Sequence, residues 1–137
     1  MLHKPYRILI ATICLLVLLS SVCLAERPRS FVDAVDHTGY YIYTDTIAWN
    51  SDHEVTADVA MIKANTNRMF VYRTKFDTAA ATCQFLTSAV YRYDTKKLLM
   101  QSNEPLTVRP YTPTSPLKTV VDYLLNLKNS STKIPGA

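Results

Sequence analysis

From Glu54 to Tyr93 the chain alternates apolar and polar residues with a period of two, broken only by short polar clusters. Nothing else in the sequence limits its fold as strongly, because such a stretch can bury one side only by pairing as antiparallel strands. Val55, Ala57, Val59 and Met61 share one face of a strand over 54–64, with Glu54, Thr56 and Asp58 on the other. Asn65-Thr66-Asn67 is a turn signal, since asparagine tolerates left-handed backbone. A second strand spans 68–76, with Phe70, Tyr72, Thr74 and Phe76 alternating against Val71, Arg73 and Lys75. A third spans 82–93, placing Cys83, Phe85, Ala89, Tyr91 and Tyr93 opposite Gln84, Leu86, Ser88 and Arg92. Asp94-Thr95-Lys96 turns the chain into a last clear strand at 97–101.

Upstream, Phe31 to Val35 is a short strand, followed by a turn at His37-Thr38-Gly39. Tyr40-Tyr41-Ile42-Tyr43 is a strand dense in the aromatic and β-branched residues that pleated surfaces favour. Thr44-Asp45-Thr46 breaks it, leaving a brief apolar patch at 47–49. After residue 110 the period changes. Ser115 followed by Pro116 is a helix start, with a capping hydroxyl and a proline where its missing N–H is harmless. Leu117, Val120, Val121, Leu124 and Leu125 then form one stripe of a helix of roughly 12 residues. Strands first and one helix last predict an α+β fold: a single antiparallel meander of about five or six strands, covered on one face by a C-terminal amphipathic helix. The expected domain covers 26–128, with a flexible tail at 129–137.

The N-terminus carries a different message. His3, Lys4 and Arg7 precede the almost wholly apolar run Ile8–Leu19, and small residues lead to Ala25. The run falls short of the roughly 20 residues of a spanning helix, so residues 1–25 read as a cleaved secretory signal. The mature chain is then expected outside the cytoplasm, periplasmic or at the cell surface or secreted, with no membrane span. Cys23 follows the bulky Val22 rather than a small residue, which argues against lipid anchoring. Of 15 basic residues, Lys4 and Arg7 leave with the signal, and 13 remain against 11 acidic ones. So small an excess gives no reason to expect nucleic acid as a partner. Only Cys83 survives cleavage, and it is expected to be buried and inert or to make an intermolecular disulfide.

No catalytic constellation emerges. His37 and His53 lie in turn-like contexts, and Cys83 lacks a turn that would expose its sulfur. Asp52, His53 and Glu54 are adjacent, so they alternate sides of an extended chain, and Asp33, Asp36 and Asp45 lack calcium-loop spacing. With Gly39 and Gly136 as its two glycines, the chain has no phosphate loop. No enzyme, metal or cofactor is expected. Tyrosine offers contact area at small entropy cost, and Arg73, Lys75 and Arg92 form a weak basic patch. The candidate binding residues are therefore Tyr41, Tyr43, Tyr72, Arg73, Lys75, Tyr91 and Arg92. Tyr72 and Tyr91 alternate with the three basic residues, so two opposite faces are represented.

Tyr40-Tyr41-Ile42-Tyr43 running to Ile47, the cysteine of Ala81-Thr82-Cys83 with Tyr91 downstream, and the proline-rich approach to the helix together resemble the surface-adhesin protein E family over most of 38–127. The resemblance implies an exported bacterial protein, a sheet packed on a helix, a host matrix protein as ligand, and an ability to dimerise. The chain departs from that pattern in lacking a lipidation signal and a second cysteine, where Leu124, Leu125 and Asn126 stand. The first departure weakens surface anchoring; the second removes a disulfide that the resemblance implies for Cys83. The expectation is an exported, non-enzymatic, adhesin-like binding protein with a protein ligand of unknown identity. The alternative is a periplasmic structural or envelope-maintenance protein acting through homodimerisation or a docked envelope partner.

Overall fold

The structure, a computed structural model, describes residues 27–133. The signal reading of 1–25 lies outside the described residues, as do the last four positions of the expected tail. The elements are β1 (Arg29–Val35), β2 (Thr38–Trp49), β3 (Glu54–Lys63), a 3₁₀ turn (Ala64–Thr66), β4 (Arg68–Asp77), β5 (Thr82–Arg92), β6 (Leu98–Ser102), β7 (Arg109–Pro110) and α1 (Pro116–Thr132). They form one antiparallel sheet in the order β1-β2-β3-β4-β5-β6, with β7 also pairing with β5, and a single C-terminal helix. This is the α+β meander that the alternation and the late change of period predict.

The turns explain the short connections. Asp36 and His37 both have positive φ, 48° and 62°, so β1 and β2 join through a two-residue turn twisted to suit the strands. The turn thus falls one step before the expected His37-Thr38-Gly39. Gly39 lies inside β2, and a Cβ there would stand 2.8 Å from the Tyr41 ring, which would have to shift to admit a side chain. Asn67, at φ 53°, closes the β3–β4 connection as expected.

Four register shifts interrupt the ladders; the last, between Val90 and Tyr91, leaves Leu99 as the extra residue in β6. The expected break at Thr44–Thr46 is a bulge within a continuous β2, since the register jumps between Tyr43 and Ala48. Thr46 fills the gap in the ladder: its hydroxyl donates to the Tyr43 carbonyl at 2.6 Å and accepts the Asp58 N–H at 2.8 Å. A second shift lies between Phe31 and Asp33 in β1. The third lets Arg73 pair with Thr87 and Thr74 with Phe85, leaving Leu86 as the extra residue in β5. An extra residue reverses which side chains share a face.

The core sits between α1 and one end of the sheet. Ile42, Val55, Val59, Phe76, Val120 and Leu124 are each 0 % exposed, with Cys83, Tyr111 and Val121 beside them. Ser115 caps the helix, its Oγ accepting the Leu117 N–H at 3.2 Å ahead of Pro116. The helix runs through Thr132, past the position where a tail was expected to begin. Ser130, Ser131 and Thr132 donate their hydroxyls to the carbonyls of Asn126, Leu127 and Lys128, one turn earlier, so these hydroxyls find their partners within the last turns of the helix.

Candidate functional site

The helix covers only half of the face it packs on. Residues paired across neighbouring strands share a face, and five cross-strand rows can be followed from one end of the sheet to the other. Trp49, Val55, Phe76 and Cys83 make the first row, beneath α1. Ala57, Thr74 and Phe85 make the second, and Ile42, Val59, Tyr72, Ser88 and Ser102 the third. The fourth runs through every strand from β2 to β6 as Tyr40, Met61, Phe70, Val90 and Met100. Unlike most of the first row, none of these five is buried. Beyond them, at the sheet's end, a fifth row holds three cations: Lys63, Arg68 and Arg92.

The open half is built of rings in contact. Tyr72 stacks on Phe85 with centroids 4.3 Å apart, and Phe70 lies parallel to Tyr72 at 6.5 Å and 3°. Such offset pairs hold their rings in place at little entropy cost. Thr38, Tyr40, Met61, Lys63, Phe70 and Tyr72 line a recess of about 220 Å³. Burial pushes the Tyr72 hydroxyl above the usual tyrosine range, and burial followed by the Asp33 and Asp36 carboxylates does the same for Tyr40. Both phenols stay neutral donors at physiological pH. Lys63 holds its ammonium 6.0 Å from the Phe70 centroid. Arg68 donates to the carbonyls of Thr66 and Asn67 at 3.5 and 3.1 Å. Among the described residues neither cation meets a carboxylate in an ion pair, whereas Arg92 lies 3.4 Å from Asp94.

On the opposite face, two tyrosines are covered by the chain's own arginines. Tyr43 is only 6 % exposed, with the Arg27 guanidinium 4.6 Å from its ring centroid, and Arg29 covers Tyr41 at 5.3 Å. Asp58 is shared between Arg27 and Arg73 at 3.2 and 3.3 Å. Of the sequence-derived candidates, Tyr41, Tyr43, Arg73, Lys75 and Tyr91 belong to this face. Tyr72 and Arg92 belong to the open half. Tyr91 therefore stands on the side of Arg73 and Lys75, and Arg92 on the side of Tyr72, contrary to the simple alternation. The bulge at Leu86 is the cause. It splits Cys83 and Phe85 from Ala89 and Tyr91, which the unbroken pattern puts together. Tyr40, Met61, Phe70, Phe85, Lys63 and Arg68 were not among the sequence-derived candidates; the alternation placed Phe70 and Phe85 on apolar faces without saying which end is covered.

A larger groove of about 580 Å³ lies between β2 and α1, lined by Ile47, Trp49, Leu127 and Lys128 among others. Its one aromatic ring is already engaged, because Lys128 sits 4.2 Å from the Trp49 centroid and donates to the Asp52 carbonyl at 3.1 Å. No family model, curated protein or solved structure matches the chain. The capability of the site must be argued from its own chemistry.

The site offers stacked rings bordered by cations. Among the described residues no three His, Cys, Asp or Glu side chains gather as a metal site, and no helix is long and apolar enough to cross a membrane. Burial raises the Cys83 thiol, against a smaller opposing pull from Arg109, so it stays protonated and poorly nucleophilic. A rigid sheet presenting fixed rings, with cations at its border, is suited to binding.

Proposed function

We propose that this chain is an exported, non-enzymatic binding protein that holds a protein ligand on the open half of its helix-bearing sheet face. The observation that carries this reading is the uncovered row from Tyr40 to Met100 with the stacked Phe70, Tyr72 and Phe85 beside it. Pre-ordered aromatic area on a sheet costs little to immobilise on binding, and such rings anchor interfaces. The resemblance to the surface-adhesin protein E family makes a host matrix protein the first ligand to try.

The test is capture of the mature protein on a panel of immobilised matrix proteins, alongside the double variant Phe70→Ser with Tyr72→Ser. Retention on at least one of them, lost in the double variant while its circular dichroism is unchanged, supports the reading. Equal retention of both proteins puts the ligand elsewhere.

A second reading, a periplasmic envelope factor acting through partner docking or homodimerisation, is favoured by a different feature. All of β6 is exposed, with Leu98, Leu99 and Met100 at 46, 40 and 69 % on the edge strand of the sheet. Protease shaving of intact source cells separates the two. Loss of the protein supports the surface role, and protection until the outer barrier is opened supports the envelope role.

A further inference from the structure

We infer that the open half-face selects a polypeptide segment in which a large aromatic side chain stands beside carboxylates, the ring entering the recess between Tyr40 and Tyr72 and the carboxylates meeting Lys63 and Arg68. This rests on the binding role proposed above and names the chemistry of the ligand.

Three observations converge on that chemistry. The first is size. The recess holds about 220 Å³, below the roughly 300–1,000 Å³ of sites that enclose a whole small molecule. It has room for one large side chain. The second is the lining. Tyr40, Met61, Phe70 and Tyr72 offer ring faces and a thioether, which suit another aromatic ring. The third is the order of the rows. Lys63, Arg68 and Arg92 occupy three successive strands immediately beyond the apolar row. Neighbouring strands lie about 4.8 Å apart, so the three positions form one basic border to the apolar row.

The same arrangement disfavours other occupants. The Lys63 ammonium already faces the Phe70 ring, so a cationic group over that ring would meet like charge, and only at the Tyr40 end do the Asp33 and Asp36 carboxylates offset it. A second copy seated on this face through a two-fold axis parallel to the strands would bring its cation row against the same row here, at a repulsive cost. A bilayer surface is better served by apolar side chains that project than by a recess.

The probes are three tripeptides, acetyl-Glu-Phe-Glu-amide, acetyl-Gln-Phe-Gln-amide and acetyl-Lys-Phe-Lys-amide, titrated into the mature protein. The aromatic ring resonances of Tyr40, Phe70 and Tyr72 are followed by NMR. The acidic peptide is expected to move these resonances and to bind roughly fivefold more tightly than the neutral one, the worth of two solvent-exposed ion pairs. The basic peptide is expected to be weaker still. Lys63→Gln with Arg68→Gln should bring the acidic and neutral peptides to equal affinity. Equal binding of all three peptides at the same rings overturns the charge selection but leaves the site in place. Failure of every peptide to move the rings overturns both this inference and the site itself. Sedimentation of the protein with phosphatidylglycerol vesicles but not phosphatidylcholine vesicles, lost in the same double variant, overturns it in favour of a lipid surface.

Discussion

Phe76 and Phe70 lie on one strand, on one face, six residues apart, yet they do different work. Phe76 is fully buried beneath α1, whereas Phe70 is half-buried and lies beside Tyr72 in a row that the helix does not reach. The sheet is apolar along both halves of this face, and only one half is used to close the core. Identical residues in an identical pattern thus contribute to folding at one end and remain available for contact at the other. What separates them is how far along the strands a single helix extends, a tertiary fact that no local pattern encodes.

The sharpest break in this contrast comes from the covering element. Val121→Asp puts a carboxylate on a helix position that is 2 % exposed. Its desolvation without a partner is expected to exceed what a small domain can spare, so the cooperative melt should vanish. A melt unchanged from the parent would show that α1 does not cover the sheet. Next in size is the pair of phenylalanines. Phe76→Ala should cost about 4 kcal/mol in urea unfolding, the range for emptying a sealed core site. Phe70→Ala should cost about 1.5 kcal/mol, because part of its surface is already in water. Equal losses would erase the distinction between the two halves. Ser115→Ala should lower stability by about 1 kcal/mol through loss of the bond to the Leu117 N–H. The smallest effect is expected from Met100→Gln, at the far end of the open row. With 69 % of its surface exposed, it should change stability by no more than about 0.5 kcal/mol.

Much of the fold could be read from the chain because local signals and tertiary structure agree. The alternation in 54–76, the left-handed Asn67, and Ser115 with Pro116 each have a direct physical cause that acts without distant partners. The failures share a cause as well. The bulges at Val32, at 44–47 and at Leu86 contain no glycine or proline to announce them, and each reverses the facing of the residues after it. That reversal is why Tyr91 and Arg92 exchange sides. β7 is two residues long and exists only because Arg109 and Pro110 meet Cys83 and Thr82. Asn129-Ser130-Ser131-Thr132 looks like a tail by composition, yet its hydroxyls bond back to the preceding turn. Of the residues in the candidate site, only Tyr72 and Arg92 stood out in the stock of tyrosines and basic residues that the sequence offers. The division of that stock between a face paired with its own arginines and a face left open was not legible, since it depends on where β1 and α1 pack.

Hydroxyl-radical footprinting of the protein, read by mass spectrometry at single-residue resolution, bears most directly on the half-covered face. Phe70, Tyr72 and Met100 should be oxidised readily, while Phe76 on the same strand stays unmodified until the protein unfolds. Equal protection of Phe70 and Phe76 would mean that both halves of the face are covered, and the binding surface described above would not exist.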